Sequence, residues 1–205
     1  MGYVVSRNTY KLKSFYTWVI FIPMIFNGGM LAGYVVNTNI LHLRNSIWAL
    51  ILPLAVSPFN IVICKTFFKT TIPDSIVESA KIDGAGHTKI FFQITFPLGK
   101  PILVTMGLFS ALAYWNDWTN GLYYLSGNQG QKLYSIQNLL NQMITDIQYL
   151  ASGKVAGNIG AEVAKLPTTS IRMAIAFIAM LPLFIIYPFL QKYFAEGITL
   201  GAVKG

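Results

Sequence analysis

Four long apolar segments constrain this chain more than anything else in it. They run from about Phe15 to Val36, Ile47 to Cys64, Pro101 to Leu125 and Ser170 to Phe189. A hydrocarbon core of about 30 Å takes about 20 helical residues to cross, so each segment is close to the length of a span. A backbone in lipid must satisfy its own N–H and C=O groups. The segments therefore predict an all-α polytopic membrane protein with four transmembrane helices, in a single transmembrane domain over residues 1–205. Pro23, Pro53, Pro58, Pro182 and Pro188 interrupt three of them, which predicts kinks in a packed bundle where neighbours re-satisfy the freed groups. Composition agrees: 11% of residues are charged, against about a quarter in a soluble domain.

The formal charge is +8, yet the basic residues stand singly between apolar runs. Phosphate tracking along a nucleic acid needs them clustered, so no nucleic-acid partner is expected. Topology explains them better. Arg7, Lys11, Lys13, Lys65, Lys69, Lys81, Lys89, Lys100, Lys192 and Lys204 fall on one side of a four-span fold, and Arg44, Lys132, Lys154, Lys165 and Arg172 on the other. The excess places both termini in the cytoplasm and the chain in the cell membrane, in contact with lipid. Lone Cys64 admits no intrachain disulfide. His42 and His87 lack the Cys/His spacing of a metal site, so neither a metal nor a cofactor is expected.

The opening MGYVVSRNTYKLK lacks the charged, apolar and cleavage regions of a signal peptide and reads as the cytoplasmic end of something earlier. The outer loop, 126–169, is long for a connector. Within it Ile136, Leu139, Leu140, Met143, Ile144 and Ile147 recur at helical spacing and predict an amphipathic helix.

The polar stretch at 74–97 lies on the basic side. Pro73 disfavours helix in the residue before it and ends the preceding span. Ser75-x-x-Glu78 has the spacing of a capping box. A helix of about two turns follows over 76–82, and Asp83-Gly84 stops it, since glycine takes the left-handed conformation freely. Gly86 keeps the turn open, His87 to Phe96 restart a helix, and Pro97 and Pro101 lead into the third span. GAGHTK at 84–89 has the residue types of a phosphate loop but neither its order nor a preceding strand. The chain thus carries no catalytic constellation and is not expected to be an enzyme.

This stretch resembles the EAA loop of ABC-transporter permeases, whose pattern is Glu-Ala-Ala, three residues, Gly, nine residues, then Ile-x-Leu-Pro. Glu78, Ala80, Gly84, Ile94 and Pro97 stand at matching positions, with Ser79 for the middle Ala and Phe96 for the Leu. IDGAG, GYVVSR, the WNDW at 115–118 and the closing GAVKG are similar to the carbohydrate-importer branch, the maltose-transporter-type permeases. The resemblance implies a permease subunit of a binding-protein-dependent sugar or oligosaccharide importer. It implies three kinds of partner: a cytoplasmic ABC ATPase dimer that hydrolyses ATP, a second homologous permease, and an external or periplasmic sugar-binding protein. Ser75, Glu78, Ala80, Asp83, Gly84, Ala85, Gly86, Ile94 and Pro97 would then form the ATPase-coupling site, with small Ala80 buried in the ATPase groove and Glu78 and Asp83 at its edges. Tails such as 197–205 reach towards the paired ATPases in that family, although a polar, glycine-rich end is also open to disorder.

In the third span, Trp115-Asn116-Asp117-Trp118 is followed by Asn120. At about 1.5 Å per residue Asp117 lies roughly 24 Å beyond Pro101, towards the outer face. Asn116, Asn120 and Tyr123 make a polar strip at helical spacing with Asp117 beside it. Sugars bind aromatic faces edged by amides and carboxylates, so Trp115, Asn116, Asp117 and Asn120 are candidate substrate-path residues. An aromatic belt at the outer interface, with Asn and Asp closing the helix, is the other reading. Asn60 is a weaker path candidate, and Asn27 reads as a packing contact.

Permeases of this branch have six spans, and GYVVSR follows the second. Roughly 80–90 residues, the length of two spans with loops, are therefore expected to be missing at the front, which leaves the orientation unchanged. A non-transporting fragment is one alternative that follows. An ATP-independent secondary transporter is another, although it calls for paired intramembrane charges and Asp117 is nearly alone.

Overall fold

A computed structural model describes residues 1–151 and 168–202 of the chain, with side chains placed for 1–150 and 169–188. Every regular element among them is helical. In chain order these are α1 Gly2–Ser6, α2 Lys13–Ile25, α3 Gly29–Ile40, α4 Trp48–Ala55, α5 Pro58–Thr71, α6 Asp74–Ile82, α7 His87–Leu98, α8 Lys100–Asn116, α9 Thr119–Tyr124, α10 Gly127–Gln131, α11 Ile136–Ala151 and α12 Thr168–Ala202. Lys154, Lys165 and most of the outer loop's second half lie outside the described residues, as do Lys204 and the end of the tail.

Thr169–Pro188 is by itself long and apolar enough to cross a membrane, with 20 residues and a mean hydropathy of 2.1. The other three crossing-length runs among the described residues are pairs of helices: α2 with α3, α4 with α5, and α7 with α8. The first two predicted spans are thus more broken than kinks alone imply, while the third pair covers 87–116, starting ahead of the span expected at 101–125 and ending short of it. After α2, Phe26 is extended, the Asn27 Oδ1 accepts the Gly29 N–H at 2.9 Å, and Gly29 sits at φ +78°. Between α4 and α5, Ser57 is extended, as a residue before proline prefers, and its hydroxyl accepts the Asn60 N–H. Pro58 then opens α5, which continues past the predicted end at Cys64 to Thr71. At Gly99, α7 and α8 meet at 73°.

The described residues divide into two units, the first being Met1–Gly29, Ala55–Ala111 and Leu190–Gly205. Its core gathers Phe68 and Ile72 around Val77, Ala80, Ile90, Ile102 and Met106. Two glycines permit this packing: a Cβ on Gly2 would lie 2.6 Å from Cys64 Cβ, and one on Gly99 would lie 2.8 Å from the Phe68 ring. Outside the core, Phe15, Trp18, Ile22 and Ile25 of α2 are all more than half exposed. Such a band is a liability in water and an ordinary surface in lipid.

The second unit, Met30–Leu54 with Leu112–Phe189, is tied by polar contacts. Tyr34 stacks on Tyr124 at 6.2 Å, and the Tyr124 hydroxyl accepts from Asn37 at 3.2 Å. Asn45 Oδ1 accepts the Ser126 N–H at 2.7 Å, while Asn45 N–H donates to the Tyr124 carbonyl at 3.0 Å. The amphipathic helix is present as α11, and it docks through an asparagine. Buried Asn138 donates to the Trp118 carbonyl at 2.6 Å and accepts the Ser135 hydroxyl at 2.8 Å. Gly121 faces it so closely that a Cβ would overlap the amide. Ile136, Leu139 and Met143 are left exposed on the same helix.

Candidate functional site

Helix α6 begins at Asp74, with Pro73 as its N-cap at φ −57°, ψ 151°. The Pro73 carbonyl accepts the Ile76 N–H at 3.2 Å. This early start puts Ser75 inside the first turn, so the capping box expected from Ser75 and Glu78 does not form: both are exposed, and no side chain caps the helix. Asp74 takes over the N-terminal role, its carboxylate placed where the helix dipole favours negative charge.

The stop at the other end falls at Asp83-Gly84, as the sequence predicts. Asp83 is the C-cap, Gly84 follows at φ +76°, and two crossed hydrogen bonds close the turn. Ala85 N–H donates to the Ala80 carbonyl at 2.9 Å and Gly84 N–H to the Lys81 carbonyl at 3.0 Å, which is the Schellman pairing. Ala85 packs against the core cluster that contains Ala80, the apolar contact that accompanies the motif.

Burial reassigns the faces of α6. Val77 and Ala80, each 8% exposed, point into the chain's own core. Ala80 is thus covered within the chain itself, where its small side chain allows α6 to approach α5 and α7. Ile94 also packs against this core. The free face carries Ser75, Glu78, Asp83, Gly84 and Gly86, together with Ile82, which at 86% exposure is the most exposed large apolar residue described. Ile82 stood in the sequence as one more helical apolar residue, and only its orientation distinguishes it. Pro97 is exposed near the end of α7 and does not end that helix, which runs to Leu98 after a wider i→i+5 turn over Phe91–Thr95.

Arg7 is the residue whose role the sequence alone does not disclose. Buried at 7% exposure, it sits where α5 ends and α6 begins. Its guanidinium donates to the carbonyls of Phe68 at 2.6 Å and Ile72 at 2.8 Å, and to the Asp74 carboxylate at 3.1 Å. The Ile72 carbonyl, at the end of α5, lacks an intrahelical partner, the Phe68 carbonyl also accepts the Ile72 N–H at 3.3 Å, and a planar guanidinium can satisfy both at once. Asn8 adds a bond to the other Asp74 oxygen at 3.2 Å, and the Tyr3 ring lies under the guanidinium at 5.1 Å.

The substrate-path residues are arranged differently from the predicted strip. Helix α8 ends at Asn116 and α9 begins at Thr119, so Asn116, Asn120 and Tyr123 do not share one continuous helix. Asp117 supports the break: its carboxylate accepts the Asn120 N–H at 3.1 Å and the Asn120 amide at 2.9 Å. Trp115 Nε1 donates to the Ala179 carbonyl at 3.1 Å. Asn116 is exposed, with no side-chain partner among the described residues. Asn60 belongs to α5 in the other unit and is partly buried.

Residues 4–200 match the family model described as "Binding-protein-dependent transport system inner membrane component". The polygalacturonan/rhamnogalacturonan transport system permease protein of Bacillus subtilis (strain 168) is 39% identical over the whole chain, which covers 69% of that protein. Protein LplC of the same organism is 38% identical, again over the whole chain and 66% of its own length. A crystal structure of a bacterial ABC transporter involved in the import of the acidic polysaccharide alginate has a chain that superposes with a TM-score of 0.74 at 26% identity, over 94% of this chain and 66% of its own. The chain thus spans about two thirds of the length of these relatives. With an all-α fold and a match over nearly its full length, it belongs to the family of inner-membrane components of binding-protein-dependent transport systems.

Proposed function

We propose that this chain is the permease subunit of an ATP-driven importer for a sugar or oligosaccharide, spanning the membrane with both termini in the cytoplasm. In this reading it contains four spans, about 15–36, 47–64, 101–125 and 170–189. A cytoplasmic ATPase dimer hydrolyses ATP, a second related permease completes the pore, and an external binding protein delivers the solute. The exposed face of α6 with its Gly84 turn is where the ATPase grips. The observation that carries this is the division of α6 into a face locked in the core through Val77 and Ala80 and a free end presenting Ile82. A helix held that way transmits a push from outside into α5 and α8 instead of bending under it.

Relatives' names favour carbohydrate cargo, and two concern acidic polysaccharides, so uronic-acid oligosaccharides stand first among substrates to test. Asn116 is the path residue with the freest amide, and Trp115, Asp117 and Asn120 shape the broken helix that presents it. The test is uptake by the complete transporter across acidic and neutral oligosaccharides, with and without an ATPase that cannot hydrolyse ATP. Uptake that continues with the dead ATPase refutes the coupled reading.

A further inference from the structure

We propose that the cleft between residues 3–12 and α6 holds the headgroup of an anionic phospholipid from the cytoplasmic leaflet. The cleft encloses about 580 Å³, within the range of sites that take small organic groups. Lys11, Lys81 and His87 line it, and none of these side chains has a hydrogen-bond or ion-pair partner among the described residues. No Asp or Glu lines it, and nearby Asp74 is already held by Arg7. The site is therefore a concavity with unneutralised positive charge, which suits a phosphodiester.

Its rim decides which phosphodiester. Leu12, 54% exposed, lines the cleft one residue before α2 starts, and Phe15 and Trp18 continue an exposed apolar track along that helix. An anion that seats between Lys11 and Lys81 with an acyl chain along this track has the two-part chemistry of a phospholipid; soluble phosphate or an acidic peptide has no use for the track. Basic pockets at the cytoplasmic end of spanning helices are a recurrent form of such sites. The proposal rests on the cytoplasmic orientation given above. Because the lipid would touch both the 9–12 turn and α6, its occupancy would set how freely the coupling helix moves.

The test is native mass spectrometry of the assembled transporter released from nanodiscs of phosphatidylcholine with a minor share of phosphatidylglycerol, without nucleotide or sugar. The unmodified transporter retains phosphatidylglycerol selectively, Lys11→Gln with Lys81→Gln lowers that retention by roughly an order of magnitude, and Lys11→Arg with Lys81→Arg keeps it. Lys132→Gln, a control outside the cleft, leaves it unchanged. Equal retention of the two lipids by the unmodified transporter overturns the proposal even if the double variant fails to assemble. So does unchanged retention in the double variant, or crosslinking of position 11 to the ATPase in place of lipid. Since the readout needs neither hydrolysis nor uptake, a failure here is separate from a failure of the importer reading.

Discussion

Arg7 and Asp74 are joined at 3.1 Å, and the same guanidinium holds two carbonyls at the end of α5. One buried side chain near the start of the chain thus ties the start of α6 to the end of α5. The pair is unequal: the Arg7 side chain is 9% exposed and that of Asp74 48%. Half-exposed ion pairs contribute less than about 1 kcal/mol, so the carbonyl bonds dominate.

Arg7→Ala leaves the Phe68 and Ile72 carbonyls without their charged donor and is expected to cost roughly 3 kcal/mol, with Arg7→Lys in between. Asp74→Ala costs under about 1 kcal/mol. Thermal denaturation of the purified complex in detergent ranks them. A larger loss from Asp74→Ala than from Arg7→Ala contradicts the role assigned to the carbonyls.

A methyl group on Gly84 would meet only open space, so the constraint there is backbone conformation, not crowding. At φ +76°, Gly84→Ala costs about 1–2 kcal/mol, and Gly84→Asn costs less because asparagine tolerates this region. Hydrogen exchange at residues 80–86 is expected to accelerate in the Ala variant and to stay near the original in the Asn variant.

Ile82 and Ala80 separate docking from folding. Ile82→Asp leaves thermal stability within about 0.5 kcal/mol, as exposed substitutions do, while reducing co-purification of the ATPase. Ala80→Leu overfills the core and costs about 1–3 kcal/mol. Full ATPase recovery with Ile82→Asp removes α6's free face from the coupling site.

Asp117→Ala loses the support at the start of α9, at a cost of about 1 kcal/mol. Asp117→Asn keeps an oxygen acceptor and is expected to preserve both stability and uptake. If Asp117→Asn instead raises the KM for the sugar while stability is unchanged, the carboxylate contacts substrate.

Asn138→Ala removes the donor to the Trp118 carbonyl and the acceptor for Ser135. A loss of about 1–3 kcal/mol is expected from the unsatisfied groups. Limited proteolysis within 126–135 reads the release of α11.

Periodic apolarity, Pro73 and Asp83-Gly84 were enough to find α6, its stop and α11, because those signals act within a few residues of backbone. The capping box failed since two helix starts two residues apart are nearly equivalent locally, and the Arg7 tether to Asp74 favours the earlier one. The polar strip at Asn116, Asn120 and Tyr123 failed for a similar reason: helical spacing assumes a continuous helix, and the Asp117–Asn120 bonds accompany a broken one.

The chain's membrane-helical class, its EAA-like spacing and its left-handed stop at Gly84 were determined by sequence alone, since hydrophobicity, residue order and the lack of a Cβ are properties of the chain itself. Which face of α6 is free was decided by tertiary structure. Ala80 and Ile82 are both helical apolar residues, and only packing against Phe68, Ile72 and Ile90 buries one and leaves the other exposed. Arg7 likewise acquires its role only when the fold brings it, across more than 60 positions, to Phe68 and Ile72, because a hydrogen bond needs proximity in space, which no local pattern encodes.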